Sequence, residues 1–174
     1  NQIYCYNISK TSTKWSWSAE IKCIPDWKCI SPKQLTLTLT NKTNSFGNSI
    51  YLHIPRLKNP IPLFIIFRAF NVISDKDICS KILLDIDDKK NKKMLFALKG
   101  SVVDANECLT YDSAMRYIIS NVIYTPLNVD KETGCKKKYD FAVEVMNNDI
   151  FPHCKTKEQK IYMLGYMTNI LLQT

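Results

Sequence analysis

The pattern of apolar and polar residues divides the chain into a strand-like first part and a helix-like second part. Apolar and polar residues alternate over 14–23, and leucine alternates with threonine over 34–40. Such alternation is typical of strands with one face in a core. Segments 3–8 and 49–54 are rich in aromatic and β-branched residues and are also predicted strands. The four strands predict an antiparallel sheet, with a loop over 41–48.

The two parts meet in the segment 59–78, NPIPLFIIFRAFNVISDKDI. Pro60 and Pro62 precede an uninterrupted run of bulky apolar residues, Leu63–Phe67. Because a strand buried on both faces needs apolar side chains throughout, this run is predicted as the last and most buried strand of the sheet. The segment Ser74–Asp77 then predicts a helix start, because serine and aspartate cap helices and acidic residues suit the positive end of the helix dipole.

The second part of the chain shows the apolar period of helices. The predicted helices are 75–84, the first half of 94–107, a helix capped by Thr110, 139–147 and 158–173. They are separated by a charged connector at 85–93, a loop at 124–133 and a break at Phe151–His153. The predicted fold class is therefore α+β, a mostly antiparallel N-terminal sheet packed with a C-terminal helical half, in a single domain over 1–174.

The last predicted helix is apolar on nearly all sides. Its central stripe consists of Ile161, Leu164, Gly165, Thr168 and Leu172. A helix of this kind is buried or docks on another domain. Gly165 would allow another element to approach closely, because it has no side chain.

The charge balance favours an acidic partner. The chain has 24 basic and 16 acidic residues, a formal net charge of +8, which suits nucleic acid first and an anionic protein second.

Seven cysteines without a CxxC pair predict reduced, mostly buried thiols, Cys79 among them, in an intracellular, reducing compartment. No stretch reaches the ~18 apolar residues of a membrane span, so no membrane partner is expected. Without a signal peptide or initiator methionine, the chain is expected to be a piece of a longer one.

Residue patterns that would support catalysis are weak. With four glycines and no GxGxxG or GxxxxGK[ST] motif, no phosphate-cradling loop is predicted. His53 is a lone histidine and is interpreted as structural. Cys154 beside His153 leaves an independent cysteine hydrolase open, although adjacent side chains rarely face each other. The aspartates of 85–88 lack the glycine and the distal glutamate of a calcium loop. No catalytic residue and no metal ligand is therefore predicted.

Four stretches share their order and spacing with one protein family. They are IPLFIIFRA (61–69) with SDKDI (74–78), DSAMRYI (112–118), FPH (151–153) with KIYMLGYM (160–167) and LL (171–172), and SAEI (18–21). They resemble the lobe domain, or domain 2, of the second-largest subunit of multisubunit DNA-directed RNA polymerases. The chain departs from the family at Phe70-Asn71, where Leu-Gly is usual; asparagine enters the left-handed region more easily than most residues. The divergence and the Asn, Lys and Ile bias suggest a large DNA virus as the source.

The resemblance implies a domain without catalytic residues inside a nucleotidyltransferase. Magnesium and zinc are expected in the parent polymerase and not in this piece. The family's lobe forms one wall of the cleft near the downstream duplex DNA and docks other polymerase subunits and initiation factors. The largest subunit is among the expected partners. The expected location is the nucleus, or a cytoplasmic viral factory or virion for a viral enzyme.

Two clusters of lysines are predicted to contact DNA phosphates. They consist of Lys89, Lys90, Lys92, Lys93, Lys136, Lys137 and Lys138. Solvated loops explain the same lysines equally well. Contacts to phosphates would be non-specific and sensitive to salt. The alternative function is a stand-alone protein-interaction module without DNA contact, which would use a Trp15/Trp17 surface or the last helix.

Overall fold

The structure is a computed structural model that describes residues 3–5, 9–12, 16–25, 33–44, 47–83, 87–123, 130–151, 154 and 156–172; over 3–34 and 40–48 it describes only the backbone. The strands are β1 (Ile3–Cys5), β2 (Ser9–Ser12), β3 (Ser16–Pro25), β4 (Lys33–Asn44), β5 (Gly47–His53) and β6 (Ile61–Pro62). The helices are α1 (Leu63–Ala69), α2 (Asp75–Leu83), α3 (Lys92–Ala97), α4 (Lys99–Asp104), α5 (Tyr111–Asn121), α6 (Lys131–Asn148) and α7 (Lys157–Leu172). A 3-10 helix at Lys89–Asn91 precedes α3.

The predicted antiparallel sheet is confirmed. Its strand order is β1-β3-β4-β5-β6, and β2 pairs with β3. Across the β4–β5 pair, Leu37 faces Leu52 and Leu39 faces Ile50. Leu37, Ile50 and Leu52 are fully buried, whereas Thr36 is half-buried. The alternation of leucine and threonine in β4 therefore places one face of the sheet in the core.

The loop predicted over 41–48 is shorter than expected. Strand β4 continues to Asn44 and β5 begins at Gly47, so only 45–46 lie between them, outside the described residues. Asn44 pairs with Gly47 after a register shift in the ladder. Asparagine is a common turn residue, but β4 continues through Asn41 to Asn44, which composition alone does not reveal.

The apolar run Leu63–Phe67 belongs to helix α1, and its prediction as a strand is wrong. Every residue of α1 is buried, because β5, β6, α2, α4 and α5 all pack around it. A helix enclosed on all sides is apolar all round, so its sequence looks like that of a strand buried on both faces. Pro62 does not prevent the helix, because it occupies the N-cap position, where no helical N–H is required.

The predicted starts of α2 and α5 are confirmed. The Ser74 hydroxyl accepts a hydrogen bond from the Asp77 N–H at 3.1 Å. Thr110 and Ser113 form a capping box, in which the Thr110 hydroxyl accepts from the Ser113 N–H at 3.1 Å and Ser113 accepts from the Thr110 N–H at 3.0 Å. Each cap satisfies backbone donors that a helix start leaves without partners.

Helix α6 begins earlier than predicted, at Lys131 and not at Tyr139. The carboxylate of Asp130 accepts a hydrogen bond from the Thr133 N–H at 2.7 Å. Hydrogen bonding from the Thr133 side chain first, and from this N–H second, lowers the pKa of Asp130. This cap starts the helix within the segment predicted as a loop, and lysine, a good helix former, continues it. The charged connector is likewise partly helical, since α3 begins at Lys92. Residues 84–86 and 124–129 lie outside the described part of the chain.

The helical half packs on the sheet and shares one hydrophobic core with it. Helices α1 and α4 contact β5, and α7 contacts β3 and β4. The Ser101 hydroxyl of α4 accepts a buried hydrogen bond from the Ile50 N–H of β5 at 3.1 Å. The buried residues of both halves form one cluster. The predicted α+β class is therefore confirmed, since the described sheet and helices pack against each other.

The turn after α1 accommodates the departure from the family at Phe70-Asn71. Asn71 has φ of 70°, in the left-handed region. Its N–H donates to the Arg68 carbonyl at 2.9 Å. Asparagine tolerates this conformation better than most residues, so the expected role for Asn71 is confirmed.

Helices α2 and α7 approach closely at Gly165, as expected from the missing side chain. The predicted stripe of α7 is buried throughout. A Cβ placed on Gly165 would lie 2.3 Å from the carbonyl oxygen of Lys81 in α2. The Asn169 side chain donates to the Ile82 carbonyl at 3.0 Å beside this contact. Gly165 therefore fixes the distance between the two helices.

We expect Gly165→Ala to lower the free energy of unfolding by about 1–3 kcal/mol, the usual range for overpacking a core. The added methyl group meets backbone and not a movable side chain, so the helices must separate. Urea unfolding followed by circular dichroism measures the change. Gly134→Ala, in the half-buried part of α6, is the matched control and should keep or raise stability, because alanine is the better helix former. Equal stability of Gly165→Ala and the parent chain would contradict the close approach.

Candidate nucleic-acid interface

The first predicted lysine run lies at the start of α3. Lys89 and Lys90 belong to the 3-10 helix, and Lys92 and Lys93 form the first turn of α3. All four side chains are exposed. The carboxylate of Asp88 accepts a hydrogen bond from the Lys90 N–H at 2.9 Å, so it caps the 3-10 helix. The run is accessible to an anionic partner.

The second predicted run lies inside α6 and not in front of it. Lys136 and Lys137 are exposed, and Lys138 is half-buried. Helix α6 packs on α5, whereas α3 packs on α2, α4 and α7. The two lysine runs are therefore carried by different parts of the helical half, and each can be tested separately.

An exposed phenylalanine beside the first run was not predicted. Phe96 in α3 is 65% exposed, and the ammonium of Lys99 lies 4.7 Å from its ring centroid. The sequence KKMLFALK holds the signal, because a helix that starts at Lys92 brings Lys92, Phe96 and Lys99 to one side. Because 85–93 was predicted as a connector, the helix that aligns these three residues was not predicted to begin at Lys92.

Among the described residues, three basic side chains bind acceptors of the chain itself. The first, Arg68, is 2% exposed in the otherwise apolar α1. Its guanidinium donates to the carbonyls of Ile73 at 3.0 Å, Ala105 at 2.9 Å and Cys108 at 3.0 Å. It also pairs with the Asp75 carboxylate at 2.5 Å. Arg68 therefore ties α1 to the start of α2 and to the link between α4 and α5.

The second internal cation is Lys160 in α7, which is 5% exposed. Its ammonium donates to the carbonyls of Asn147 at 3.0 Å, Ile150 at 2.6 Å and Phe151 at 2.9 Å. These carbonyls lie at the end of α6 and in the turn that follows, where a helix leaves acceptors unsatisfied. A cation at this position also suits the negative end of the helix dipole.

The third is Arg56, which bridges the sheet side and α6. Its guanidinium bonds to the buried carboxylate of Asp149 at 2.6 Å, lies 3.5 Å from Glu144 and sits 5.0 Å from the Phe141 ring centroid. The hydrogen bond to Asp149 is the main reason that the pKa of Arg56 is raised. With these three side chains engaged by acceptors of the chain itself, most of the exposed positive charge of the described residues comes from lysines, beside the exposed Arg116 of α5.

The structure describes only some of the weak catalytic candidates. His53 ends β5 with an exposed side chain. Cys154 is half-buried, and His153 and Asp85 lie outside the described residues. Among the residues that the structure describes, no three His, Cys, Asp or Glu side chains are grouped as metal ligands. The hydrolase alternative gains no support from these positions.

The cysteines with described side chains are free thiols: Cys79, Cys108, Cys135 and Cys154. Cys79 is buried in α2, as predicted, and burial raises the pKa of its thiol to about 11. A thiol with so high a pKa is almost entirely protonated at neutral pH and is a poor nucleophile. Within the described ranges, no helix is long and apolar enough to span a bilayer.

Comparison with known proteins identifies the family of the chain. Residues 28–174 match the family model described as RNA polymerase Rpb2, domain 2. The chain is similar to DNA-directed RNA polymerase II subunit RPB2 of Encephalitozoon cuniculi, at 26% identity over 99% of this chain and 14% of the relative. It is also similar to the RPB2 subunit of Schizosaccharomyces pombe, at 31% identity over 83% of this chain and 12% of the relative.

A third relative is DNA-directed RNA polymerase II subunit 2 of Arabidopsis thaliana, at 25% identity over 99% of this chain and 14% of the relative. The chain thus spans only 12–14% of the length of these three relatives. The family model covers all the described helices, including α1, α5 and α7, which carry three of the four resembling stretches. The chain belongs to the RNA polymerase Rpb2 domain 2 family, and is a lobe domain of the second-largest polymerase subunit.

Proposed function

We propose that this chain forms one wall of the DNA cleft of a DNA-directed RNA polymerase. The observation that carries the proposal is the family match over 28–174. Nucleotidyl transfer, with its magnesium, would then belong to the rest of the polymerase, as would structural zinc. The lobe would guide duplex DNA without taking part in the reaction.

The distribution of basic residues supports contact with phosphates. The buried cations bond to carbonyls and carboxylates of the chain itself, while the lysines of both runs reach solvent. Ammonium groups on flexible stems suit sequence-independent contact with the DNA backbone. Lys89, Lys90, Lys92, Lys93 and Lys136 to Lys138 remain the proposed phosphate contacts.

The proposal includes partners and location. The lobe would contact the largest subunit and other polymerase subunits and would dock initiation factors. It would work in the nucleus, or in a cytoplasmic viral factory or virion. The Asn, Lys and Ile bias of the sequence is what supports a viral source.

Replacing Lys136, Lys137 and Lys138 together by glutamate should weaken binding of the chain to duplex DNA by about tenfold at low salt. It should also flatten the dependence of log K on log salt by about 0.9 for each phosphate that the variant no longer neutralises. Fluorescence anisotropy of a labelled duplex over a salt series measures both quantities. Circular dichroism should show that the variant keeps its helix content.

The matched control replaces Lys58, Lys76 and Lys81 by glutamate. These exposed lysines lie outside both runs, and the change in net charge is the same. If the control weakens binding as much as the α6 variant does, binding reports total charge and not a footprint. Unchanged binding of the α6 variant would remove Lys136 to Lys138 from the interface.

A second candidate function is a protein-docking module without DNA contact. Tyr162 and Tyr166 on the outer side of α7 are 59% and 49% exposed, and their rings stack at 6.3 Å between centroids. Exposed tyrosines are frequent anchors of protein interfaces. Trp15 and Trp17, the other predicted docking residues, lie outside the described side chains. Capture of another polymerase subunit by the chain, with no affinity for DNA at low salt, would favour this function.

A further inference from the structure

Phe96 is an aromatic ring exposed in the middle of a basic segment. Within 87–99 the chain carries five lysines and two aspartates, a formal net charge of +3. One of the aspartates, Asp88, already accepts the backbone N–H of Lys90. The basic segment therefore presents mainly ammonium groups around one apolar ring.

The geometry places cations and ring on one side of the helix. Lys92 precedes Phe96 by one helical turn, and Lys99 follows it at the spacing at which helical side chains meet. The Lys99 ammonium lies 4.7 Å from the ring centroid, and the ring nevertheless keeps 65% of its surface exposed. The residue between α3 and α4, Leu98, keeps helical backbone angles, so the side chains stay aligned. The ring is therefore accessible to a second planar group.

The chemistry of this surface selects among partners. An apolar protein surface would have to strip water from several ammonium groups in order to reach the ring. Duplex DNA offers phosphates, but its bases are stacked on each other inside the helix. A single strand offers both phosphates and unpaired bases, and proteins bind single strands by combining lysines with aromatic stacking.

We propose that Phe96, with Lys92, Lys93 and Lys99, is a binding site for single-stranded nucleic acid. One unpaired base stacks on the Phe96 ring, and the flanking phosphates meet the ammonium groups. The inference rests on the proposed function, because a polymerase that copies duplex DNA must expose unpaired bases. Stacking on Phe96 would distinguish single-stranded from duplex nucleic acid, whereas contacts of the lysine runs with phosphates would not.

Phe96→Ala tests the site directly. In the 174-residue chain, which has one core of its own, the variant should bind a labelled oligo(dT) about fivefold or more weakly, as expected for loss of one base–aromatic stack. Its affinity for a duplex of equal length should stay within about twofold, and its salt slope should not change, because every ammonium group that meets a phosphate is kept. Phe96→Trp should restore single-strand affinity.

Two variants separate stacking from charge and from general exposure. Lys92→Ala with Lys93→Ala should flatten the salt slope for the single strand by about 0.7 for each phosphate that is no longer neutralised. Tyr111→Ala removes a different exposed aromatic ring, from α5, and should leave single-strand affinity unchanged. Thermal melting should show that every variant is folded.

The outcomes decide between this inference and the broader function. Unchanged single-strand affinity in folded Phe96→Ala overturns the site, and so does an equal loss for single strand and duplex. Weaker binding of a poly-glutamate peptide by Phe96→Ala, with the oligonucleotide unaffected, would assign the ring to an acidic protein instead. If the α6 lysine variant loses duplex affinity while Phe96→Ala changes nothing, the cleft-wall proposal stands and this inference fails. If the parent chain binds neither single strand nor duplex, both fail.

Discussion

Arg68→Met should lower the free energy of unfolding by about 3–5 kcal/mol, since several buried hydrogen bonds to a charged donor are lost at once. The methionine fills much of the arginine volume but donates nothing to the carbonyls of Ala105 and Cys108. The Ile73 carbonyl, between α1 and α2, also loses its bond from the guanidinium. Urea unfolding at neutral pH measures the loss.

The control for Arg68 is Asp75→Asn. The side chain of Asp75 is half exposed, and the variant leaves the three bonds from Arg68 to carbonyls in place. Because the Asp75 carboxylate is half exposed and Arg68 keeps its three carbonyl acceptors, this change should cost clearly less than Arg68→Met. If Asp75→Asn costs as much as Arg68→Met, then the ion pair and not the carbonyl network holds α1 in place.

Lys160→Met should destabilise the chain by about 3 kcal/mol, because a buried charged donor is removed from its acceptors. The carbonyls of Ile150 and Phe151 lie in the core and lose the ammonium. The end of α6 is therefore expected to loosen first, which hydrogen exchange would detect as faster exchange near Asn148. Urea unfolding gives the total loss.

Lys157→Met is the matched control for Lys160. Lys157 is exposed at the start of α7, and the same substitution there removes only a solvated charge. Its free energy of unfolding should stay within about 0.5 kcal/mol of the parent value. Equal losses at Lys157 and Lys160 would show that Lys160 does not act through the α6 carbonyls.

The sheet and the starts of α2 and α5 follow from local patterns. The leucine–threonine alternation of β4 predicts a strand with one buried face, and the ladder with β5 realises it. The cap at Thr110 is a local interaction, so the few residues from Thr110 to Ser113 suffice to predict the start of α5. Where one side of an element faces water and the other the core, the sequence carries the period of that element.

Prediction fails where an element has no face to water. Helix α1 has core on all sides, so its residues from Leu63 to Phe67 carry no period that distinguishes helix from strand. The early start of α6 was missed for a different reason, since Pro126 and the charged residues from Asp130 to Glu132 suggest a loop while the Asp130 cap favours a helix. Tertiary packing therefore determines the helical state of α1, and competition between local sequence patterns explains why the start of α6 was missed.

The candidate site was predictable in part. Clustering of lysines in the sequence identified both runs, and the structure leaves most of those side chains exposed. The sequence does not show that Arg68 and Lys160 are internal, because their acceptors are carbonyls up to 40 residues away along the chain. Phe96 was missed because its exposure depends on which side of α3 faces the core, and α3 was not predicted to begin at Lys92.

The burial of α1 has a consequence for the order in which the chain folds. A helix of seven residues is too short to be stable alone in water. It forms only when β5 and β6 from one half and α2, α4 and α5 from the other are in place around it. The two halves are therefore expected to fold together as one cooperative unit, and the α1 amide protons to exchange only through global opening.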